Sequence, residues 1–501
     1  MSNHIPSIIL NCHTLILDIG DVLFTWSSQT STSISPGTFH SITTSSTWEL
    51  YECGKLTQDE CYCLCADEWS LDTEELGRAL RLAGQSISID HDLISLIRQL
   101  KVEMGSSLRV FAMTNMSHPD YTFLREHVGD EDWSIFDEVF TSAAAGMRKP
   151  DLCFYRHVLE ITHSSPDTTV FVDDKVENVL VARSFGMQGV VFSSSQGARA
   201  NIRGLFGSPL ARGKAYLDSH ANILYSTTTT GVSFEDNFTQ LLILEVTGQR
   251  ELVDLASQSV SGRWNFFKGK PVLTTTEYPN DIDTTSIAMT VLQHDKELIQ
   301  RVMDEMLAFK SPDGIIEMYF DHNRRRTDAV VCLNALTLFY AQGRGSDLSI
   351  TESWVFDVLK NRAYIDGTRY YALAECFLYL LSRLLKKAGD DKLRERFLPL
   401  LKEHLQERVG APGNAVALAM RIVACAYVGI RDETDTRRLL TMQLEDGSWE
   451  AGTLYKYGKS GIGIGNAGFT TALALEAVYS VEGRGHAAEM WEYLDVPRDM
   501  Q

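Results

Sequence analysis

The chain has no run of 18 uninterrupted apolar residues, so no membrane-spanning helix is expected among its 501 positions. Its first residues, MSNHIPSIILNC, lack the basic region and long apolar stretch of a secretion signal. A cytoplasmic protein without stable membrane insertion is the expectation. Cysteine is sparse and odd in number, and nine thiols do not pair into a full disulfide framework. Cys61, Cys63 and Cys65 alternate in a spacing that matches no zinc pattern, and no second Cys/His pair follows nearby. Buried, redox-silent thiols are expected there. Positive charge is in deficit: 46 Lys and Arg against 66 Asp and Glu give a net charge of −20. Such a surface repels phosphate polymers, which excludes broad nucleic-acid or anionic-membrane binding. An anionic small substrate then needs a local basic pocket.

What is present, 44% hydrophobic and 22% charged residues, is the balance of a soluble globular protein long enough for two domains. Over the first two hundred residues short apolar runs alternate with helical patterns. Leu15 to Ile19, Arg109 to Thr114, Glu138 to Thr141, Thr169 to Val172 and Gly189 to Phe192 read as buried strands. Amphipathic segments such as His91 to Val102 separate them, which implies an α/β, doubly wound (Rossmannoid) parallel sheet. The polar helical stretch between the first two strands, about 25–101, reads as a cap. Residues 205–232 turn rich in Gly, Ser and Thr. They read as the connection, with 1–210 as the first domain, 211–232 as linker and 233–501 as the second. From Phe234 onward strand signals nearly vanish and helical patterns follow one another (Phe234–Thr247, Thr285–Phe309, Ala329–Gln342, Tyr371–Lys387, Asn414–Val428, Thr470–Val481). Two segments within them are alike, Gln258-x3-Gly262-x-Trp264 and Gln443-x3-Gly447-x-Trp449. A degenerate repeat of paired helices predicts an all-α second domain built as an α/α-barrel.

Ligands of an open parallel sheet bind at the carboxyl ends of its strands. Asp18 ends the first strand, Thr114 the second, Asp173 and Asp174 follow a later one, and Lys149 lies in a loop after Thr141. A carboxylate, a hydroxyl, an ammonium and two more carboxylates suit phosphoryl transfer. Asp18 attacks phosphorus, Thr114 and Lys149 stabilise the phosphoryl oxygens, and Mg²⁺ on Asp18, Asp173 and Asp174 lets anion approach anion. Asp18-Ile-Gly-Asp-Val, Thr114-Asn, Arg148-Lys149-Pro and Asp173-Asp174-x-x-Glu177-Asn178 resemble the four ordered motifs of the haloacid dehalogenase-like phosphatases. The resemblance implies metal ligation by the Gly20 carbonyl and by Glu177 as well. Where the family has a second Asp, a general acid, this chain has Gly20, and Asp21 is expected to point elsewhere.

In the second domain Asp281-Ile-Asp283-Thr284-Thr285 precedes an apolar helix. Asp and Thr suit a helix cap. Set in an all-α domain with many aromatics, the motif also resembles that of the class II terpene cyclases, whose middle Asp protonates an alkene. An alkene is so weak a base that the donor must be a neutral acid in a dry site. Burial favours un-ionised Asp283, an anionic Asp281 opposes a second charge, and Thr284 orients the acid. Carbocations call for aromatic faces, with Trp264, Tyr319, Phe320, Tyr340, Tyr370, Phe377, Trp449, Tyr457 and Phe469 as candidates, Trp449 being expected as a structural stacker. Arg324, Arg325, Arg326, Arg369, Lys456 and Lys459 are the cations available to hold a diphosphate, Trp264 and Tyr370 the flanking aromatics, and Gly458 to Gly468 a candidate mobile loop. Asp173-Asp174-Lys175-Val176-Glu177 is similar to the metal motif of class I terpene synthases, but it follows a strand and belongs with the phosphatase-type site.

A phosphatase-like domain joined to a class II cyclase β-domain resembles the fungal and bacterial drimane-type sesquiterpene synthases. That resemblance implies cyclisation of farnesyl diphosphate to a drimenyl or albicanyl diphosphate and Mg²⁺-dependent removal of phosphate. The rival reading is a phosphatase for isoprenoid or other phosphate esters whose helical half is not catalytic. Oligomeric state carries no sequence signal.

Overall fold

The computed structural model describes residues 12–257 and 259–482. They form two compact units divided at Gly207/Ser208.

The first unit is built on β1 (Thr14–Leu17), β2 (Arg109–Thr114), β3 (Glu138–Thr141), β4 (Thr169–Asp173) and β5 (Gln188–Val191). All pair in parallel in the order β3-β2-β1-β4-β5. Period-two alternation sends Leu15, Leu17, Val110, Ala112, Val170 and Val172 into one apolar layer, and Ile16, Phe111, Met113 and Phe171 into the other. Strand order reverses at β1, so the crevice beyond β1 and β4 is the natural ligand site. Helices Pro36–Thr43, Ser46–Glu52, Gln58–Trp69 and Thr73–Gln85 enclose a separate core that includes Trp48, Tyr51, Cys61 and Cys65. Pairing of Phe24–Thr25 with Ser88–Ile89 closes the neck of this cap. The cap is therefore shorter than the expected 25–101. Helix His91–Met104 buries Leu93, Ile94, Ile97 and Leu100 against the sheet instead. Cys63 is exposed while Cys61 and Cys65 are buried, so the three thiols do not converge.

In the second unit six helices, Asn237–Thr247, Ile282–Val291, Ala329–Ala341, Ala374–Ala388, Ala415–Tyr427 and Ala467–Val481, pack each on the next and the last on the first. Such a ring is buried on all sides, and every residue from Ala329 to Phe339 is buried accordingly. Helices Pro209–Ser219, Lys296–Leu307, Ser349–Lys360, Asp391–Arg408 and Glu433–Thr441 pack outside it, giving an α/α-barrel. The expected helix 285–309 is thus two, one inner and one outer. The expected linker 211–232 is no linker: it holds most of an outer helix. Gly213 reads as flexible in sequence but serves close packing, since a Cβ there would lie 2.7 Å from Leu475 Cδ2 and 3.2 Å from the Trp449 ring. Four short strands also escaped the all-α expectation. β6 (Ser226–Thr228), β7 (Ser233–Phe234), β8 (Tyr455–Lys456) and β9 (Gly463–Gly465) form an antiparallel sheet in the order β8-β9-β6-β7. The stretch expected as a mobile loop is largely this β8–β9 hairpin.

Candidate active sites

At the sheet crevice the Asp18, Asp173 and Asp174 carboxylates each bring an oxygen within 4.8 Å of the others. Lys149 Nζ lies 2.9 Å from Asp18 Oδ1 and 2.7 Å from Asp173 Oδ2. Burial works against the Lys149 charge, but the two carboxylates overcome it and hold the ammonium above the usual lysine range. Burial pushes Asp18 up to about 6 against the pull of Lys149, and Asp173 adds to the rise. Asn115 clamps the Lys149 backbone at both ends, accepting from its N–H at 2.8 Å and donating to its carbonyl at 2.9 Å. Thr114 is buried at the end of β2. This all-oxygen donor set beside an open position fits a hard divalent cation. A Cβ on Gly20 would meet nothing within 4 Å, so the missing second acid leaves space rather than packing. One expectation fails. Glu177 is exposed on helix Val176–Ser184 and takes no part in the acid cluster. Its neighbour Asn178 faces inward and donates to both Asp173 oxygens, at 2.9 and 3.0 Å. Asp21 stands in left-handed backbone at φ 56°, is exposed, and is not among the three clustered carboxylates.

In the barrel, Asp281 and Asp283 open helix Ile282–Val291. Asp281 is its cap, accepting from the Thr284 N–H at 2.6 Å, while its own N–H donates to the Trp264 carbonyl at 3.1 Å. Capping and chemistry are thus compatible. Asp283 sits in the first turn, 5% exposed. Its Oδ1 accepts from Asn334 Nδ2 at 2.7 Å and its Oδ2 from the Tyr371 hydroxyl at 2.5 Å. Burial pushes Asp283 up to about 6, with the Tyr371 and Asn334 hydrogen bonds opposing. Burial pushes Asp281 to about 7, and the nearby Asp283 adds to it. Burial thus works against the anionic form expected at Asp281. Nor does Thr284 orient Asp283; Tyr371 and Asn334 do.

Both acids and Thr284 line a cavity of about 680 Å³. Phe238, Phe266, Tyr278, Tyr319, Tyr370, Tyr371, Tyr455 and Tyr457 supply its aromatic wall. Arg324, Arg326, Arg369, Lys456 and Lys459 line it too. Asp283 and Tyr371 are buried whereas Arg326, Arg369 and Lys459 are exposed, so acid and cations mark its inner and outer ends. Among the described residues, Arg326, Arg369, Lys456 and Lys459 have no carboxylate partner. In a chain with 20 excess negative charges this concentration of free cations points to an anionic ligand. Arg325 does not line the cavity: it pairs with Glu317 at 2.9 Å. Trp264 lies outside the lining, its backbone N–H donating to Thr285 Oγ1 at 2.9 Å. Phe320, Tyr340, Phe377, Trp449 and Phe469 also lie outside the lining. Phe377 stacks on Tyr364 and Trp449 Nε1 donates to the Leu439 carbonyl at 2.7 Å. Gln443, Gly447 and Trp449 form a turn clamp, with Gln443 Nε2 donating to the Pro209 and Gly447 carbonyls at 2.9 and 2.8 Å. Gln258, of the matching segment, lies outside the described residues.

Residues 210–342 match the family described as sesquiterpene cyclase astC-like C-terminal domain. Over 464 residues the chain is 42% identical to drimenol cyclase drtB of Aspergillus calidoustus, covering 93% of this chain and 87% of that protein. The chain belongs to the drimenol cyclase family. Sesquiterpene phosphatase astK of Aspergillus oryzae (strain ATCC 42149 / RIB 40) is 40% identical over 192 residues, 38% of this chain and 95% of astK. A type II terpene cyclase from Scytonema, solved with geranylgeranyl dihydroxybenzoate, is 14% identical, covers 55% of this chain and 97% of its own, at a TM-score of 0.41.

In this member of the drimenol cyclase family, sequence reasoning missed Asn334, Tyr371, Phe238, Phe266, Tyr278 and Tyr455. Only Tyr371 carried a usable signal, an aromatic directly after Arg369 and Tyr370. Asn334 and Phe238 sit on separate inner helices, Tyr455 on β8, and Phe266 and Tyr278 in the irregular segment before helix Ile282–Val291, and the barrel alone brings them together.

Proposed function

We propose that this protein is a bifunctional sesquiterpene synthase, cyclising farnesyl diphosphate to a bicyclic drimane-type diphosphate and then removing phosphate. One observation carries the reading: a buried, hydrogen-bonded carboxyl at the inner end of an aromatic cavity whose outer end holds unpaired cations.

Arg324, Arg326, Arg369, Lys456 and Lys459 grip the diphosphate, which leaves the hydrocarbon chain to run inward. The Asp283 proton bonds to the terminal alkene carbon and the π electrons of that bond form the new C–H bond. Successive alkenes attack the resulting cation and close two six-membered rings. Loss of a ring-adjacent proton regenerates a double bond and gives the drimenyl or albicanyl skeleton. The aromatic wall stabilises positive charge without acting as a nucleophile. In the other unit the Asp18 carboxylate attacks the terminal phosphorus and the bridging P–O bond breaks, releasing the terpenyl monophosphate; water then cleaves the aspartyl phosphate to inorganic phosphate. Lys149 and Thr114 stabilise the transferred oxygens. Asp18, the Gly20 carbonyl, Asp173 and Asp174 would hold Mg²⁺, which offsets the repulsion between carboxylate and phosphate. A terpenyl monophosphate leaving group tolerates the absence of a second Asp at position 20. No helix of the described residues is long and apolar enough to cross a membrane.

Incubation of the purified protein with farnesyl diphosphate and Mg²⁺, with products read by mass spectrometry, tests the reading. Asp283→Ala should abolish cyclic products while linear diphosphate is still hydrolysed, and Asp18→Ala should accumulate cyclic phosphates. Equal loss of both activities in each variant, with the fold intact, overturns the division of labour. Hydrolysis of many phosphate esters without any cyclic product supports the phosphatase alone.

A further inference from the structure

Asp283 does not stand alone at the inner end of the cavity. Asn334, whose amide donates to Asp283 Oδ1, receives in turn a hydrogen bond on its own Oδ1 from Arg383 Nη1 at 3.2 Å. Arg383 Nε donates to Glu245 Oε2 at 2.7 Å, and Lys387 Nζ lies 2.8 Å from Glu245 Oε1. Asp283, Asn334, Arg383 and Glu245 come from four inner helices of the ring. Arg383 is 6% exposed and Asn334 fully buried.

An asparagine amide presents a donor or an acceptor depending on a half-turn of its last torsion, so its partners decide which end faces which way. A guanidinium has five donors and no acceptor. By occupying Asn334 Oδ1, Arg383 leaves only the NH₂ end to face Asp283. With the amide donating to Oδ1 and the Tyr371 hydroxyl to Oδ2, neither neighbour accepts the acidic proton, which stays directed at the cavity. Were the amide reversed, its oxygen would face Asp283 and take that proton into a hydrogen bond, away from the alkene. The Glu245 carboxylate, shared with Lys387, fixes the guanidinium from the other side.

We propose that Arg383 is a positioning residue for cyclisation, holding the Asn334 amide in the one orientation that leaves the Asp283 proton free for the alkene. The proposal rests on Asp283 being the proton donor and adds a residue that touches neither substrate nor acid.

The test is a double-mutant cycle in the full-length protein, with steady-state cyclisation of farnesyl diphosphate as the readout. Arg383→Met keeps the Glu245–Lys387 pair, and its kcat should fall at least tenfold while KM stays within twofold. In an Asn334→Ala background the same substitution should change kcat by less than twofold, since no amide remains to be oriented. If Arg383→Met does not fold, Arg383→Met/Glu245→Met removes the charge pair as a unit and should give the same two results. An unchanged kcat, or the same fractional loss in both backgrounds, overturns the proposal. Asp283→Ala, run alongside, separates the two failures. If it still cyclises, the donor assignment is wrong. If it is inactive while Arg383→Met is unaffected, only the role of Arg383 is wrong.

Discussion

In the proposed cyclisation Asp283 has to protonate one of the weakest bases a side chain meets, and burial is what equips it. Unfolded, its carboxyl ionises near 3.8; folded, burial moves this to about 6. Between those values the folded protein keeps a proton that the unfolded chain has released. Stability therefore falls as pH rises through that window, and above it the fold carries a buried carboxylate at a cost on the order of 3 kcal/mol. Asp283→Asn removes that cost. Its amide offers an oxygen to Asn334 and an NH₂ to the Tyr371 oxygen, so the hydrogen bonds persist. The variant should melt above the parent at pH 8, with the difference shrinking toward pH 4, while cyclisation drops about 10²- to 10⁴-fold. Thermal melts across that range check it, and a difference independent of pH would show that this carboxyl does not titrate as its burial demands.

Among the elements, the β8–β9 hairpin carries the clearest separation of folding from binding. A Cβ on Gly465 would stand 1.6 Å from the Gly452 carbonyl oxygen, backbone against backbone. A Cβ on Gly458 would instead meet Arg369 Nε at 2.6 Å, the end of a flexible side chain. Gly465→Ala should therefore lower Tm by several degrees, at a cost of about 3 kcal/mol or more. Gly458→Val should leave Tm nearly unchanged and raise KM for farnesyl diphosphate about tenfold, by displacing Arg369, one of the cations proposed to grip the diphosphate. Calorimetry and steady-state kinetics on the two variants distinguish these outcomes. The sequence showed the glycines of this hairpin but not their purpose, because strands of two and three residues, in a hairpin with four glycines, carry no alternation to read. For a like reason residues 211–232 looked like a linker: Gly213 reads as freedom when it is a contact with Leu475 and Trp449. The parallel strands were legible because burial on both faces writes continuous apolar runs. Asp18, Lys149, Asp173 and Asp283 were legible because local motifs hold them. Asn334 and Arg383 were not, since their partners lie 51 and 49 residues away along the chain and meet only when the ring closes.

For the whole molecule, each site is complete within one unit. Asp18, Lys149, Asp173 and Asp174 come from the unit before Gly207, and Asp283, Asn334, Tyr371 and the cations from the unit after it. Among the described residues each site's side chains come from one unit, so in the proposed sequence a cyclic diphosphate leaves one cavity and enters the other crevice. That product is an anionic amphiphile able to cross through water. Mixing Asp18→Ala, expected to cyclise without dephosphorylating, with Asp283→Ala, expected to do the reverse, should restore cyclic alcohol or monophosphate. Order matters: phosphatase acting first on the linear diphosphate removes the group that the cyclase cations hold. The cyclic share of products should therefore rise as Asp18→Ala is taken from equal amounts to tenfold excess, and linear alcohol should dominate when the ratio is inverted. Gas chromatography of the mixtures against the parent protein reads both trends. Cyclic diphosphate that builds up untouched at every ratio would mean that transfer requires both sites on one chain.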